Sequence, residues 1–488
     1  MIYMKYSNKI ISNVFLGAIA FTLTITGCKK NFLDLAPTES ISYSDAFNSE
    51  AKLQAAMTGI YDLITSDVYI NNIILNSEVK GEDVFPNSAG NYGRFVAGYQ
   101  YIQTVNNAEL QEHWGQGYKI IANCNQLIEN APKAPISVSD AIKTRFIAEA
   151  TAIRAFVHFQ LVQEFGAKSY VLDPEALGVP VVEKSVEPTD EFPARAKVKD
   201  VYASILKDLA FAETNFIGIE QGVYRLNLSS IQAIEARVYL AMGNWAKASE
   251  YAKASRAGYT LGTGNSLLEG FRAPTSEWIW ALNSSADDNT FYLEVQSFFD
   301  PYDRGYSSFR VTEEFFNSFD DNDFRKNQFR IPADVGGDPT TGDYDLFGDG
   351  YLTSKFVFDG SGGNDQLLIR ASEMVLTEAE AEARIGGVNE VAAKNALLII
   401  QQRANPAAIL SLNMGEALIQ EILLERRKEL FGEGQRFYDI LRTKQSLNRT
   451  GSASHWSLLT IPAGDKRFAL PIPQAEINAN PKIVQNPL

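Results

Sequence analysis

Cysteine and histidine are nearly absent from this sequence. Its two cysteines are Cys28 and Cys124. If Cys28 is consumed as argued below, Cys124 has no partner, so a disulfide framework is excluded and the core alone must hold the chain. Cys124 stands in an apolar helical pattern with Ile120, Ile121, Leu127 and Ile128, the setting of a small buried hydrophobe rather than a reactive thiol. The three histidines, His113, His158 and His455, lie far apart without ligand spacing, which argues against zinc. No phosphate-cradling loop and no nucleophile elbow is present, and no cofactor or metal is expected. Positive charge is in deficit: 44 Lys and Arg against 59 Asp and Glu give a net charge of −15. Such acidity argues against nucleic acid and against broad adhesion to anionic lipid. No stretch is apolar enough to span a bilayer, which takes roughly 20 residues.

One short apolar run is present, at the N-terminus. Lys5 and Lys9 give a basic region, residues 14–25 an apolar one broken by Thr22 and Thr24, and Thr26-Gly27-Cys28 closes it. That order predicts a secretory signal peptide over 1–27 of the lipoprotein kind, in which the thiol of Cys28 is acylated and becomes the new N-terminus. The protein is then expected to hang from a membrane by lipid, not by a helix.

Residues 28–43 read as anchor and tether, and 44–488 as the body. Within it, Ser44 is a candidate cap for a helix over 45–64, and helical spacing recurs over 108–130, 140–165, 197–214, 228–242 and 244–256. The phrase from Ala236 to Ala248 has the look of a tetratricopeptide unit: small alanines let two antiparallel helices approach, Gly243-Asn244 turns the chain, and Trp245 wedges between them. Further pairs are expected at 371–385 with 389–403, across Gly386-Gly387, and at 416–431 with 435–442. The helix pairs thus group at about 195–257 and 371–442. Two stretches differ: 66–106 and 258–370 are rich in Gly, Asn, Asp and aromatics and read as irregular insertions, with short strands at 278–282 and 356–358. One further short helix is expected from Gln474.

Six phrases in this order resemble the SusD/RagB family of outer-membrane nutrient-binding lipoproteins. They are Cys28 to Pro37, Ala152 to Gly166, Ala236 to Ala248, Leu368 to Ala381, Glu425 to Arg442, and Leu470 to Pro487. Lys29 and Lys30 depart from the acidic residues that several members place after the anchor. The resemblance implies a mainly α fold in which a tetratricopeptide-like scaffold carries irregular, ligand-binding insertions. It also implies a cell-surface lipoprotein that binds nutrient glycans and delivers them to a SusC/RagA-type TonB-dependent outer-membrane transporter, without enzymatic activity. Alternatives are a peptide-capturing RagB-like protein, a lipid-anchored glycoside hydrolase, and a scaffold for protein partners alone.

Two groups of residues could carry chemistry. The charged cluster Glu425, Arg426, Arg427, Glu429, Glu433, Arg436, Asp439, Arg442 alternates in sign, which favours ion pairs between packed helices over an acid/base pair. Glycosidase chemistry needs two carboxylates flanking one bond, and no spacing singles out a pair. Residues 343–350 hint at calcium but lack the ligand pattern of a calcium loop. Trp114, Trp245 and at least one of Trp278 and Trp280 read as packing residues. The better binding candidates are aromatics interleaved with polar groups, since rings cover the C–H faces of sugars while Asn and Arg satisfy hydroxyls. One segment offers Asn87, Asn91, Tyr92, Arg94, Phe95 and Tyr99. The other offers Phe291, Tyr292, Phe298, Tyr302, Arg304 and Tyr306.

Overall fold

Helix punctuation in the sequence sets the frame. The computed structural model describes residues 46–87, 91–186, 191–216, 221–330 and 350–487, except positions 263, 286 and 303. Cys28, the tether, Ser44 and the calcium-like residues 343–349 lie outside the described residues. Helix α1, Glu50–Thr65, begins later than expected because Ser49 supplies the cap, its side chain accepting from Lys52 N at 3.3 Å. Helices α2 (Ala108–Asn130) and α3 (Asp140–Phe165) follow, each started by a side-chain cap, Asn107 and Ser139. From Phe146 to Phe165, α3 is buried nearly all round, between α2 and α4 (Val198–Phe216). A helix with no polar face belongs at the centre of a bundle. Cys124 is buried at the α2 face, and burial pushes its thiol up, away from the reactive form.

Helices α5 (Leu228–Met242) and α6 (Trp245–Ser255) form the expected pair, with Gly243 at φ 73° making the turn. Trp245 lies under the Arg384 guanidinium, 4.8 Å from ring centroid to carbon. A second pair is α7 (Ala371–Ile385) and α8 (Glu390–Ala404), and α9 (Gly415–Glu429) packs on α7, with α10 (Arg436–Arg442) after it. Helix α6 packs directly on α7, although more than a hundred residues separate them in sequence. The chain leaves the helical stack after α6, builds the irregular region, and returns through a strand that runs straight into α7.

Three short strands of note lie in that region, β2 (Trp278–Leu282), β3 (Phe309–Val311) and β4 (Gln366–Arg370), and a fourth, β1 (Val84–Pro86), in the earlier irregular stretch. β1 pairs with β3 and β2 with β4, both antiparallel. Both Trp278 and Trp280 are core residues. Two sequence expectations need correction. Residues 67–79, expected to be loop, form a helix with a π-helical stretch at Asn72–Asn76. Its polar residues are buried and several bond there: Asn71 Nδ2, for example, donates to Leu293 O at 2.8 Å. Residues 356–358 are not a strand; Phe356 and Phe358 are buried in irregular backbone, Phe356 stacking on Phe299 at 5.0 Å.

The charged cluster of α9 and α10 is a buried lattice. Arg370 reaches Glu429 at 2.6 Å and Glu433 at 2.7 Å; Arg325 reaches Glu425 at 2.7 Å and Glu429 at 2.8 Å; Arg403 also pairs with Glu429. Arg442 joins Glu380 at 2.6 Å, and Arg426 joins Asp439 at 3.0 Å. Burial alone would raise the Glu429 carboxyl, but the three arginines around it hold it well below the usual range. Ion pairing was expected. Its partners, however, come largely from the irregular region, so the lattice rivets the insertion to the scaffold.

Candidate functional site

The two candidate segments meet because β1 pairs with β3. Pro86 stands opposite Phe309, and Asn87 N donates to Ser308 O at 2.7 Å. Beneath this ladder, Phe95 meets Phe298 at 5.3 Å and Phe309 at 5.6 Å, edge to face. Both Phe95 and Phe298 are buried and serve as the small core of the two loops. Asn91 is also fully buried and works on the backbone: its Nδ2 donates to Arg94 O at 2.6 Å and its Oδ1 accepts from Gly93 N at 3.1 Å.

On this base stands a ledge of rings. Tyr306 stacks on Phe298 with centroids 4.9 Å apart. Tyr92 meets Tyr306 edge-on at 6.0 Å, Tyr292 meets it from another side at 6.4 Å, and Phe291 abuts Tyr292 at 4.2 Å. Tyr92 is 83% exposed, Tyr292 45% and Phe291 40%. The Arg94 guanidinium lies over Tyr306 at 4.9 Å and within 5.9 Å of the Tyr92 centroid. It has no ion-pair partner among the described residues, and its one hydrogen bond, to Asn91 O, is long at 3.4 Å. The result is a row of aromatic faces with an arginine fork whose donors are largely uncommitted, a surface able to cover apolar C–H faces while bonding hydroxyls.

The backbone carrying these rings is strained. Tyr92, Phe95, Tyr101, Phe291 and Ser307 all have φ between 44° and 61°. A side chain in the left-handed region costs about 1–2 kcal/mol, and such residues gather where the fold over-determines them, commonly at ligand sites. Here the buried Asn91 and the Phe95–Phe298 core do the holding.

Tyr99 is buried, its hydroxyl 3.0 Å from His455 Nδ1 and its ring 4.7 Å from Trp456. His455 Nε2 faces Glu82 O at 3.1 Å, which assigns the proton to Nε2 and makes Nδ1 the acceptor from Tyr99. Burial, then the charge of Arg449, brings the imidazole down to about 4, so it is neutral at ordinary pH. Trp456 is 44% exposed and anchored by Nε1–H to Pro86 O at 2.9 Å. Sequence reasoning missed this ring because it stands alone among serines, outside both aromatic-rich stretches. Its one signal was a large aromatic in a polar loop.

Tyr302 and Arg304 lie elsewhere. Their side chains stack at 4.9 Å, Arg304 is tied to Asp300 at 2.9 Å, and both line a separate cavity of about 670 Å³. Thus Tyr92, Arg94, Phe291, Tyr292 and Tyr306 gather on the ledge. Asn91, Phe95 and Phe298 support it from below, Tyr99 is buried against His455 and Trp456, Asn87 is half-buried at the strand end, and Tyr302 and Arg304 face the cavity. Among the described residues, no group of three or more His, Cys, Asp or Glu side chains is placed to hold a metal, and no helix is long and apolar enough to cross a membrane.

Comparison with known proteins gives a consistent picture. Residues 31–240 match a family model described as starch-binding, associating with the outer membrane, and residues 327–488 match that of the SusD family. The SusD-like protein P2 of Formosa agariphila is 24% identical over 512 residues, spanning 96% of this chain and 98% of the relative. A SusD superfamily protein from Bacteroides thetaiotaomicron superposes with a TM-score of 0.82 at 28% identity, over 90% of this chain and all (100%) of that one. Surface glycan-binding protein A of the same organism, solved with laminarihexaose, superposes at 0.71 with 20% identity over 89% of this chain and 99% of its own, a likeness of fold. The mainly α architecture with its irregular insertions is therefore that of the SusD fold. With two family models taking in most of the sequence and a relative matched nearly end to end, this chain belongs to the SusD/RagB family.

Proposed function

We propose that this protein is an outer-membrane lipoprotein, anchored through Cys28, that captures oligosaccharides on the Tyr92–Tyr306–Tyr292–Phe291 ledge. It passes them unaltered to a SusC-type TonB-dependent transporter. The observation that carries the reading is the ledge: exposed rings on strained but pinned backbone, with Arg94 stacked among them and its donors largely uncommitted. Rings supply most of the energy for binding a sugar face, and a preorganised surface wastes little of it on ordering. Glycan capture by the family, and the glycan complex of a protein sharing this fold, support the ligand class. The transporter partnership rests on the family resemblance.

The test is calorimetry of the purified protein against a panel of neutral oligosaccharides, with chromatography of the same mixtures. Binding without product release is expected. Release of shorter sugars by the wild-type protein would replace this reading with a hydrolase, and binding confined to peptides would replace it with peptide capture. Co-purification with a large β-barrel tests the partnership.

A further inference from the structure

The loop over 300–306 serves two surfaces. At one end it carries Tyr306 of the ledge; through Tyr302 and Arg304 it lines the cavity of about 670 Å³, whose other walls include Phe271, Arg272, Trp278 and Asn364. That volume lies in the range of small-ligand sites. The loop is pinned at Tyr302, Arg304 and Tyr306. The buried Asp300 carboxylate accepts from Tyr302 N at 3.1 Å, Arg304 N at 3.0 Å and Phe358 N at 3.1 Å, while Tyr306 N donates to Ser297 Oγ at 3.0 Å. The spacing between ledge and cavity is therefore fixed.

The cavity is chemically unfinished. Asn364 is fully buried; its Nδ2 donates to Glu294 Oε2 at 2.7 Å, but its Oδ1 has no hydrogen-bond partner among the described residues. Arg272 is exposed on the same wall without an ion-pair partner among the described residues, and Tyr302, 44% exposed, presents a ring backed by Arg304. The acids nearby are mostly committed: Glu277 pairs with Arg403 at 3.0 Å, and Asp359 accepts from Ser361 Oγ at 2.6 Å. Glu269 stands in the wall beside Arg272, which disfavours a strongly anionic occupant. A ring to stack on and an arginine to donate, in a cavity of this size with its acids mostly committed, together describe a neutral sugar.

We propose that this cavity is a second saccharide subsite, which takes a side branch of a chain whose backbone lies on the ledge. The inference rests on the ledge reading. Two contacts on one rigid loop turn the second into an intramolecular event, so a branched ligand gains over its linear counterpart.

The test uses three pairs of probes: laminarihexaose and its β-1,6-glucosylated form, cellotetraose and its xylosylated form, mannopentaose and its galactosylated form. For at least one pair the branched member should bind roughly tenfold or more tightly. Arg272→Ala and Tyr302→Ala should remove most of that gain, leave the linear member unchanged and leave the melting temperature near wild type. Tyr92→Ala should weaken both members. If no branched probe binds more tightly than its linear partner, or if the cavity variants leave the gain intact, the subsite is overturned. If linear probes bind and branching adds nothing, only the cavity assignment fails; if none of the six binds, the ledge reading falls with it.

Discussion

The ring of Tyr306 lies flat on the buried ring of Phe298, centroids 4.9 Å apart and planes within 19°. One face of Tyr306 is thereby spent on the core, and its position is fixed before any ligand arrives. The exposed Tyr92 has no such duty, for it packs only edge-on against Tyr306. Tyr92→Ala should therefore weaken oligosaccharide binding by roughly 1–2 kcal/mol, on the scale of a hot-spot aromatic, and shift the melting temperature little. Tyr306→Ala should lose both. Calorimetry and thermal melts on the two variants separate the roles; equal destabilisation by both would make Tyr92 a packing residue.

Arg94 should behave as a planar donor rather than a bare charge. Arg94→Lys keeps the charge but loses the stacked fork over Tyr306. Binding to neutral glycans should fall in Arg94→Lys nearly as far as in Arg94→Ala. Full retention of affinity by the lysine variant would mean that charge alone suffices.

The buried lattice predicts a stability effect remote from the ledge. Arg370 is paired with Glu429 and Glu433. Arg370→Ala leaves those carboxylates buried and undercompensated, so it should cost on the order of 3–5 kcal/mol in chemical unfolding. An apolar replacement of similar volume for Arg370 alone would not rescue it, because the acids remain.

Glu235 makes the pH dependence testable at one residue. It is buried, its Oε2 has no partner among the described residues, and burial followed by the charge of Glu213 raises its carboxyl to about 8. The folded state thus keeps a proton that the unfolded chain releases above about 4.5. This residue's contribution to stability is present below that value and lost as pH rises toward 8. Glu235→Gln, a neutral isostere, should match wild type near pH 4 and exceed it in melting temperature above pH 8. A constant difference across that range would show that Glu235 does not titrate as described.

Membrane attachment has its own test. Cys28→Ala should move the protein from the membrane fraction to the soluble fraction. Sedimentation of the variant with membranes after a high-salt wash would reject the anchor.

Helices punctuated by caps and glycines were legible in the sequence. Leu228–Met242 lies between Asn227 and Gly243, and Ala371–Ile385 ends at Gly386; both have the ends expected of them. The helix at 67–79 was not legible, because Asn71, Asn72, Asn76 and Ser77 mimic a polar loop when their buried partners are unknown. For the site, sequence reasoning found the segments but not the orientation of the rings. Tyr92 and Phe95 are three residues apart, yet one is exposed and the other buried, a difference set by the left-handed turns that Asn91 holds. Trp456 comes from a third segment, and only the pairing of β1 with β3 puts Pro86 where its indole can bond.

Helices α6 and α7 lie side by side, tied by Ser249 Oγ to Glu382 at 2.6 Å, while the chain between them wanders off and comes back. The two ends of that excursion are therefore moored by the frame itself. Because closing a longer loop costs little more than closing a shorter one, the intervening sequence can be rewritten or lengthened with modest penalty. The residues that rivet it to α9 and those that bury rings in the core, such as Trp280 and Phe298, remain constrained. Such a body works as a socket with an exchangeable cartridge, whose exposed parts can diversify while the socket stays as it is.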